Sequence, residues 1–116
     1  MPENQVVDGL KLELRRGSLV LGVLAALRVE QYGYTLRNTL AAHGIEIEEG
    51  PLYPMLRRLE DQGLLQSEWR EEGKRNKRFY ALSPAGEKAV RLLENEWRQM
   101  NGSLEQLLKE KQHEPA

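Results

Sequence analysis

Two adjacent arginines, Arg57 and Arg58, lie on the polar face of a helix that the sequence predicts over residues 51–63. A guanidinium group can donate two parallel hydrogen bonds to the O6 and N7 atoms of guanine. Tyr53 lies at the edge of the same face as Pro54, and its single hydroxyl is better suited to a phosphate oxygen. This face therefore predicts contacts to nucleic acid. The alternative is that both arginines form solvated ion pairs with nearby acidic residues.

A second group of basic residues starts at the glycine-containing turn of a predicted β-hairpin, whose strands span about 64–71 and 77–82. No acidic residue interrupts this group, which consists of Lys74, Arg75, Lys77 and Arg78. Cations at a hairpin tip attract phosphates and could enter a minor groove, whereas the alternative is a loop that only improves solubility. Residues 50–82 contain seven Lys or Arg and five Asp or Glu, although the whole chain has a net charge of −1. Positive charge is thus concentrated in the segment that contains both groups.

The first predicted helix is apolar on nearly all sides, which indicates a central position in the fold. It begins near Gly17-Ser18, where the serine can cap it, and continues to about Leu27. The preceding residues 2–16 are mostly polar, with apolar side chains at Val6, Leu10 and Leu14. We predict that they form a short arm or a frayed helix that packs only against a partner surface.

Two further helices precede the hairpin. The second is roughly ten residues long, with Gly44 as its predicted left-handed stop. The third ends at Gly63, and its buried stripe consists of Leu52, Leu56 and Leu59. Because these leucines are predicted to face the core, the arginine face must point outward.

A long fourth helix is predicted from Ser83-Pro84, with the serine as cap and the proline as first residue, to about Lys111. Its apolar side chains recur at alternating spacings of three and four, which is typical of a helix packed against another helix. They are Val90, Leu93, Trp97, Met100, Leu104 and Leu107. So short a chain offers no further layer to cover them. We therefore predict burial against the same helix of a second copy.

Three helices, a hairpin and a long helix, in this order, are typical of a winged helix-turn-helix protein. We predict a mainly α chain with a small β-hairpin and a long C-terminal dimerisation helix. The parts are an N-terminal arm or helix over 1–16, a DNA-binding domain over 17–82, and the dimerisation helix with a disordered tail over 83–116. In this fold the third helix lies in the major groove of double-stranded DNA.

Residues 15–100 resemble the short form of the PadR family of bacterial transcriptional regulators. The resemblance rests on the segments Leu14–Leu19, Tyr32–Tyr34, Gly50–Glu60, Gly63–Leu65 and Tyr80–Gly86. Two departures are present. Pro51 replaces the Thr, Ser or Ala usual in the family, which removes a hydroxyl that could contact phosphate, and Ser83-Pro84 replaces a commoner Thr-Glu.

The resemblance implies a DNA-binding regulator that works as a homodimer. It also implies that flat aromatic compounds bind near the dimer centre. Trp97 is then either a stacking platform for a small aromatic effector or a core residue of the subunit interface.

No residue pattern predicts an enzyme. The chain has no Cys, and it contains neither a nucleophile elbow nor a Gly-rich phosphate loop. His43 and His113 are isolated, and the acidic residues of 46–49 beside His43 lack the convergent spacing of metal ligands. We expect no catalytic residue, no metal and no cofactor.

The apolar run over 19–27 follows two arginines, as in a secretory leader. It is far shorter than the ~20 residues that span a bilayer, and no small-residue cleavage pattern follows it. A buried helix explains it better, so we expect a cytoplasmic protein without membrane contact.

The leading hypothesis is therefore a sequence-specific regulator, a repressor, that binds a pseudo-palindromic operator as a homodimer and is released by a small molecule. The alternative is a winged-helix module that binds proteins instead of DNA.

Overall fold

The computed structural model describes residues 2–110, which form four helices and a three-stranded antiparallel sheet. The elements are α1 (Glu3–Ala26), β1 (Gln31–Tyr32), α2 (Gly33–Ala42), α3 (Glu49–Asp61), β2 (Leu65–Glu72), β3 (Arg75–Leu82) and α4 (Pro84–Glu110). The predicted fold, mainly α with a small hairpin and a long last helix, is confirmed. The predicted disordered tail over 112–116 lies outside the described residues.

Helix α1 is much longer than the sequence analysis predicted. It begins after Pro2 and continues without interruption to Ala26, so the predicted start at Ser18 is wrong. A glycine inside a helix costs about 1 kcal/mol relative to alanine, which is too little to end a helix rich in Leu, Glu, Lys and Arg. Residues 3–16 are helical, and all their side chains are exposed.

The core lies where α1, α2, α3, the hairpin and the start of α4 meet. It includes the predicted stripes of α2 and α3. Its buried members are Val23, Leu24, Leu27, Leu36, Leu40, Leu52, Leu56, Leu59, Leu65, Tyr80 and Val90. Burying one such aliphatic side chain contributes roughly 1.5–3 kcal/mol. This burial fixes the rotation of α3, because turning the helix would expose three leucines together.

The predicted helix ends and the predicted cap are confirmed. Gly44 follows α2 with φ of 81°, and Gly63 follows α3 with φ of 82°. The Ser83 hydroxyl accepts the N–H of Gly86 at 3.0 Å, which caps α4, and it donates to the carbonyl of Gly63 at 2.6 Å. The start of α4 is thereby tied to the end of α3.

The hairpin turn is tighter than predicted. Glu72 pairs with Arg75, so only Gly73 and Lys74 form the turn, instead of the five residues 72–76. Gly73 has φ of 69°, the positive φ that a two-residue hairpin turn requires. Strand β1 pairs with β3, giving the order β1-β3-β2. This strand was not predicted because two residues carry no alternating pattern.

Candidate nucleic-acid interface

Helix α3 presents a polar face to solvent because three leucines on its other face are buried. Arg57 and Arg58 are both exposed on this face, together with Pro54. Tyr53 is 37% exposed and lies at the edge of the face. All four predicted residues of α3 therefore belong to one accessible surface.

The Tyr53 ring is held in place by close contact with Gly33, the first residue of α2. A Cβ atom added to Gly33 would lie 2.8 Å from Cε1 of Tyr53, so any side chain there would displace the ring. This contact explains why position 33, between Tyr32 and Tyr34, is a glycine. Glycine permits the tyrosine of α3 to pack directly on the start of α2, which fixes the position of its hydroxyl.

The predicted cluster of four cations at the hairpin tip is only partly present. Lys74 and Arg75 lie at the turn and are exposed. Lys77 instead lies along β3, where its Nζ donates to Oε1 of Glu72 at 3.2 Å and to the Tyr32 hydroxyl at 3.4 Å. The hydrogen bond to Glu72 and, to a smaller extent, the one to Tyr32 raise the pKa of Lys77. Lys77 stays charged, but its ammonium group already has protein partners.

Arg78 is bound on both sides by other elements. Its Nη2 donates to Oε1 of Glu60 on α3 at 3.0 Å, and its Nε donates to Oγ of Ser67 on β2 at 2.9 Å. The Ser67 hydroxyl donates in turn to Oε2 of Glu60 at 2.5 Å. We call this closed ring of Glu60, Ser67 and Arg78 the helix–wing clamp, because it joins α3 to both strands of the hairpin.

A cleft of about 300 Å³ separates α3 from the hairpin. Aromatic and cationic side chains line it, among them Tyr53, Arg57, Trp69, Arg78 and Tyr80. Burial raises the pKa of Tyr80, so this tyrosine stays neutral at the base of the cleft. Trp69 is 64% exposed at its mouth, and sequence reasoning did not single it out. The pairing register of β2 and β3 places Trp69 opposite Arg78, on the face of the hairpin that is directed toward α3. Sequence pattern alone does not give this register.

Comparison with known proteins identifies this combination of helix and hairpin. Residues 20–92 match the sequence profile of the transcriptional regulator PadR-like family, which is more than half of the chain. The chain belongs to the PadR-like family of transcriptional regulators. The resemblance seen in the sequence is confirmed, and the family is one of regulators rather than enzymes.

Individual proteins are similar to this chain in sequence and in structure. The chain is 40% identical over 79 residues to the transcriptional regulator Rv3488 of Mycobacterium tuberculosis, covering 67% of this chain and 74% of that protein. It superposes with a TM-score of 0.86 and 44% identity on a PadR family regulator from Eggerthella lenta, covering 90% of this chain and 94% of that one. The smu.1704 protein of Streptococcus mutans gives a TM-score of 0.69 at 28% identity over 78% and 85% of the two chains.

This PadR-like chain has a second accessible surface on α4, where the predicted apolar stripe is exposed. The exposed members are Leu93, Trp97, Met100, Leu104 and Leu107. Val90 is the exception among the predicted dimerisation residues, since it is 1% exposed and belongs to the core of its own chain. It faces α1 rather than solvent, and it is therefore inaccessible to a partner.

Trp97 lines a cavity of about 340 Å³ between α1 and α4. The guanidinium of Arg98 lies 5.8 Å from the centre of its ring, and Arg98 forms an ion pair with Glu94 at 2.8 Å. That ion pair lowers the pKa of Glu94. The cavity thus combines an aromatic ring, apolar lining residues and an exposed ion pair.

Across residues 2–110, none of the helices has the length and apolar character needed to cross a bilayer.

Proposed function

We propose that the chain is a sequence-specific regulator, a repressor, that binds a pseudo-palindromic operator in double-stranded DNA as a homodimer. The observation that carries this proposal is the outward face of α3, where two arginines are exposed and one of them, Arg57, lines the cleft between α3 and the hairpin. In a helix-turn-helix protein this helix enters the major groove, and the hairpin, or wing, lies along the neighbouring backbone. The unit over 17–82 would form the DNA-binding domain.

The proposed contacts divide into base recognition and phosphate binding. Arg57 reads a guanine edge, with Arg58 beside it, and the Tyr53 hydroxyl binds phosphate next to Pro54. Lys74 and Arg75 at the turn bind phosphates as well. Lys77 and Arg78 belong to the same surface through their charge, although their hydrogen-bond donors are largely used within the protein.

The proposed dimer pairs the stripe of α4 with its copy. Such a stripe over several turns needs a second helix to cover it, and symmetric pairing supplies one. Two copies of α3 would then face successive major grooves. The cavity beside Trp97 supports a small, flat, aromatic effector as the releasing ligand, and a cytoplasmic location follows from the proposed role.

Binding of fluorescently labelled promoter DNA from the chain's own locus, measured by anisotropy against a shuffled duplex, tests the proposal. We expect tighter binding to the promoter, since base contacts distinguish specific from non-specific sites. Equal and weak binding of both duplexes, with capture of a protein partner, would instead establish the protein-interaction module.

Removing the two basic residues at the tip of the hairpin should weaken binding to all duplexes about equally. In Lys74→Ala/Arg75→Ala, the slope of log K against log salt should become shallower by roughly 0.9 for each phosphate that is no longer neutralised. Salt titrations of the anisotropy measure this slope. The matched control Lys88→Ala/Arg91→Ala removes the same charge from exposed positions of α4 and should leave the slope unchanged. If both double variants behave alike, the turn contributes only net charge.

A further inference from the structure

Trp69 is the exposed aromatic residue of the wing. It is 64% exposed and lines the cleft beside Tyr53 and Arg57. Single exposed hydrophobic residues are common on protein surfaces and need no explanation by themselves. Trp69 differs because it faces the same space as the proposed base-reading arginine.

The ring of Trp69 is held by the helix–wing clamp. The Arg78 guanidinium lies 5.6 Å from the centre of the Trp69 ring and 5.6 Å from that of Tyr80. Arg78 is itself fixed by Glu60 and Ser67. The clamp residues Arg78 and Glu60 are only 35% and 25% exposed, so this ion pair is better shielded from water than a fully exposed one. One face of the indole therefore lies beside a guanidinium that other groups hold in place, and most of the ring stays accessible.

The chemistry of this arrangement fits the sugar–phosphate backbone of DNA. An indole has one hydrogen-bond donor, Nε1–H, and a broad apolar face, but no acceptor. The donor matches a phosphate oxygen, and the face matches the C–H surface of a deoxyribose. The guanidinium of Arg57 lines the same cleft and favours an anionic occupant.

We propose that Trp69 contacts the sugar–phosphate backbone directly, and that Arg78, held by Glu60, is a positioning residue for it rather than a phosphate ligand. This inference rests on the proposed DNA-binding function. It adds a second neutral aromatic contact, on the wing, to the one proposed for Tyr53 on α3. It also assigns to the clamp the task of keeping the wing contact at a fixed distance from α3.

The two tryptophans of the chain allow a direct test. In Trp97→Phe, Trp69 is the only tryptophan, and its emission can be followed while labelled duplex DNA is added and anisotropy reports binding. As the anisotropy of the labelled duplex rises, we expect the Trp69 emission to change and its quenching by acrylamide to decrease. Trp69→Phe, which retains only Trp97, is the matched control and should show a smaller change.

Substitutions then separate direct binding from positioning. Trp69→Ala should weaken binding to specific and random duplexes by about tenfold, the scale of removing one hydrogen bond together with the packing of its ring. Arg78→Met should weaken binding and reduce the protection of Trp69 from acrylamide, while the salt slope stays unchanged because the number of neutralised phosphates is the same. Arg78→Lys, which keeps a cation within reach of Glu60 and the indole ring, should lose less of both than Arg78→Met does. Circular dichroism confirms that each variant is folded.

The outcomes distinguish this inference from the function on which it rests. If the wild-type protein changes the anisotropy of none of the labelled duplexes, DNA binding itself is wrong. If DNA binds but Trp69 emission and the affinity of Trp69→Ala are unaffected, DNA binding stands and the Trp69 contact is overturned. A salt slope that becomes shallower by roughly 0.9 in Arg78→Met would show that Arg78 binds phosphate itself.

Discussion

Arg57→Ala should weaken binding to the cognate operator by about 1–3 kcal/mol and binding to random DNA much less. Arg57 is exposed on α3, opposite leucines that are buried in the core, so its guanidinium is directed away from the protein. The substitution removes a bidentate hydrogen bond to guanine O6 and N7, which forms only on sequences that offer guanine at that position. Anisotropy titrations over a randomised operator library measure both affinities at one salt concentration.

Two variants serve as controls for Arg57→Ala. Tyr53→Phe removes one hydroxyl and, because that hydroxyl is proposed to bind phosphate, should weaken binding to all sequences similarly. Arg58→Ala removes the same charge from the next position, which tests whether position or charge alone matters. Equal reductions for Arg57→Ala on specific and random DNA would make Arg57 a phosphate ligand and leave specificity to Arg58 or the wing.

The operator itself should reflect the geometry of the dimer. Two symmetric copies of α3 in successive major grooves place the half-sites about 10 base pairs, or ~34 Å, apart, or a multiple of that. Footprinting of the wild-type protein measures the spacing. A single protected half-site at saturation would contradict the proposed symmetric binding.

The parts of the fold that sequence reasoning predicted are those specified by local pattern. The leucine stripes of α2 and α3 repeat with the helical period, and the stops at Gly44 and Gly63 require a positive φ that glycine readily adopts. The predicted start of α1 is wrong because Gly17-Ser18 has the residue types of a helix boundary, although the helix continues through both residues. Nothing local shows that the polar stretch before it continues the same helix.

The details of the wing depend on strand register, which sequence pattern alone did not supply. A five-residue loop would place Lys77 and Arg78 near the tip with the other cations. The two-residue turn starts β3 at Arg75 and so moves both away from the tip, to positions where Lys77 contacts Glu72 and Arg78 pairs with Trp69. The clamp to Glu60 follows from that register, since it brings side chains of distant segments together. Moving the register by one residue would turn these side chains to the opposite face.

Leu93→Glu should convert the protein from a dimer to a monomer at micromolar concentration. Leu93 is 39% exposed in the single chain and lies in the stripe of α4, so the substitution leaves the core of the subunit intact. In the dimer the carboxylate would lie between two apolar helices, where an unpaired charge is unfavourable by several kcal/mol. Sedimentation velocity measures the oligomeric state, and circular dichroism confirms the fold.

Asn95→Glu is the matched control for Leu93→Glu, because it adds the same charge on the opposite face of α4, where Asn95 is exposed. It should remain a dimer with unchanged DNA binding. The Leu93→Glu monomer retains each α3 surface but can occupy only one half-site at a time, so it lacks the effective concentration that couples the two half-sites. Operator affinity should therefore fall far more than affinity for a single half-site duplex. A wild-type protein that sediments as a folded monomer at micromolar concentration would contradict the dimer, and the stripe of α4 would then require a different partner.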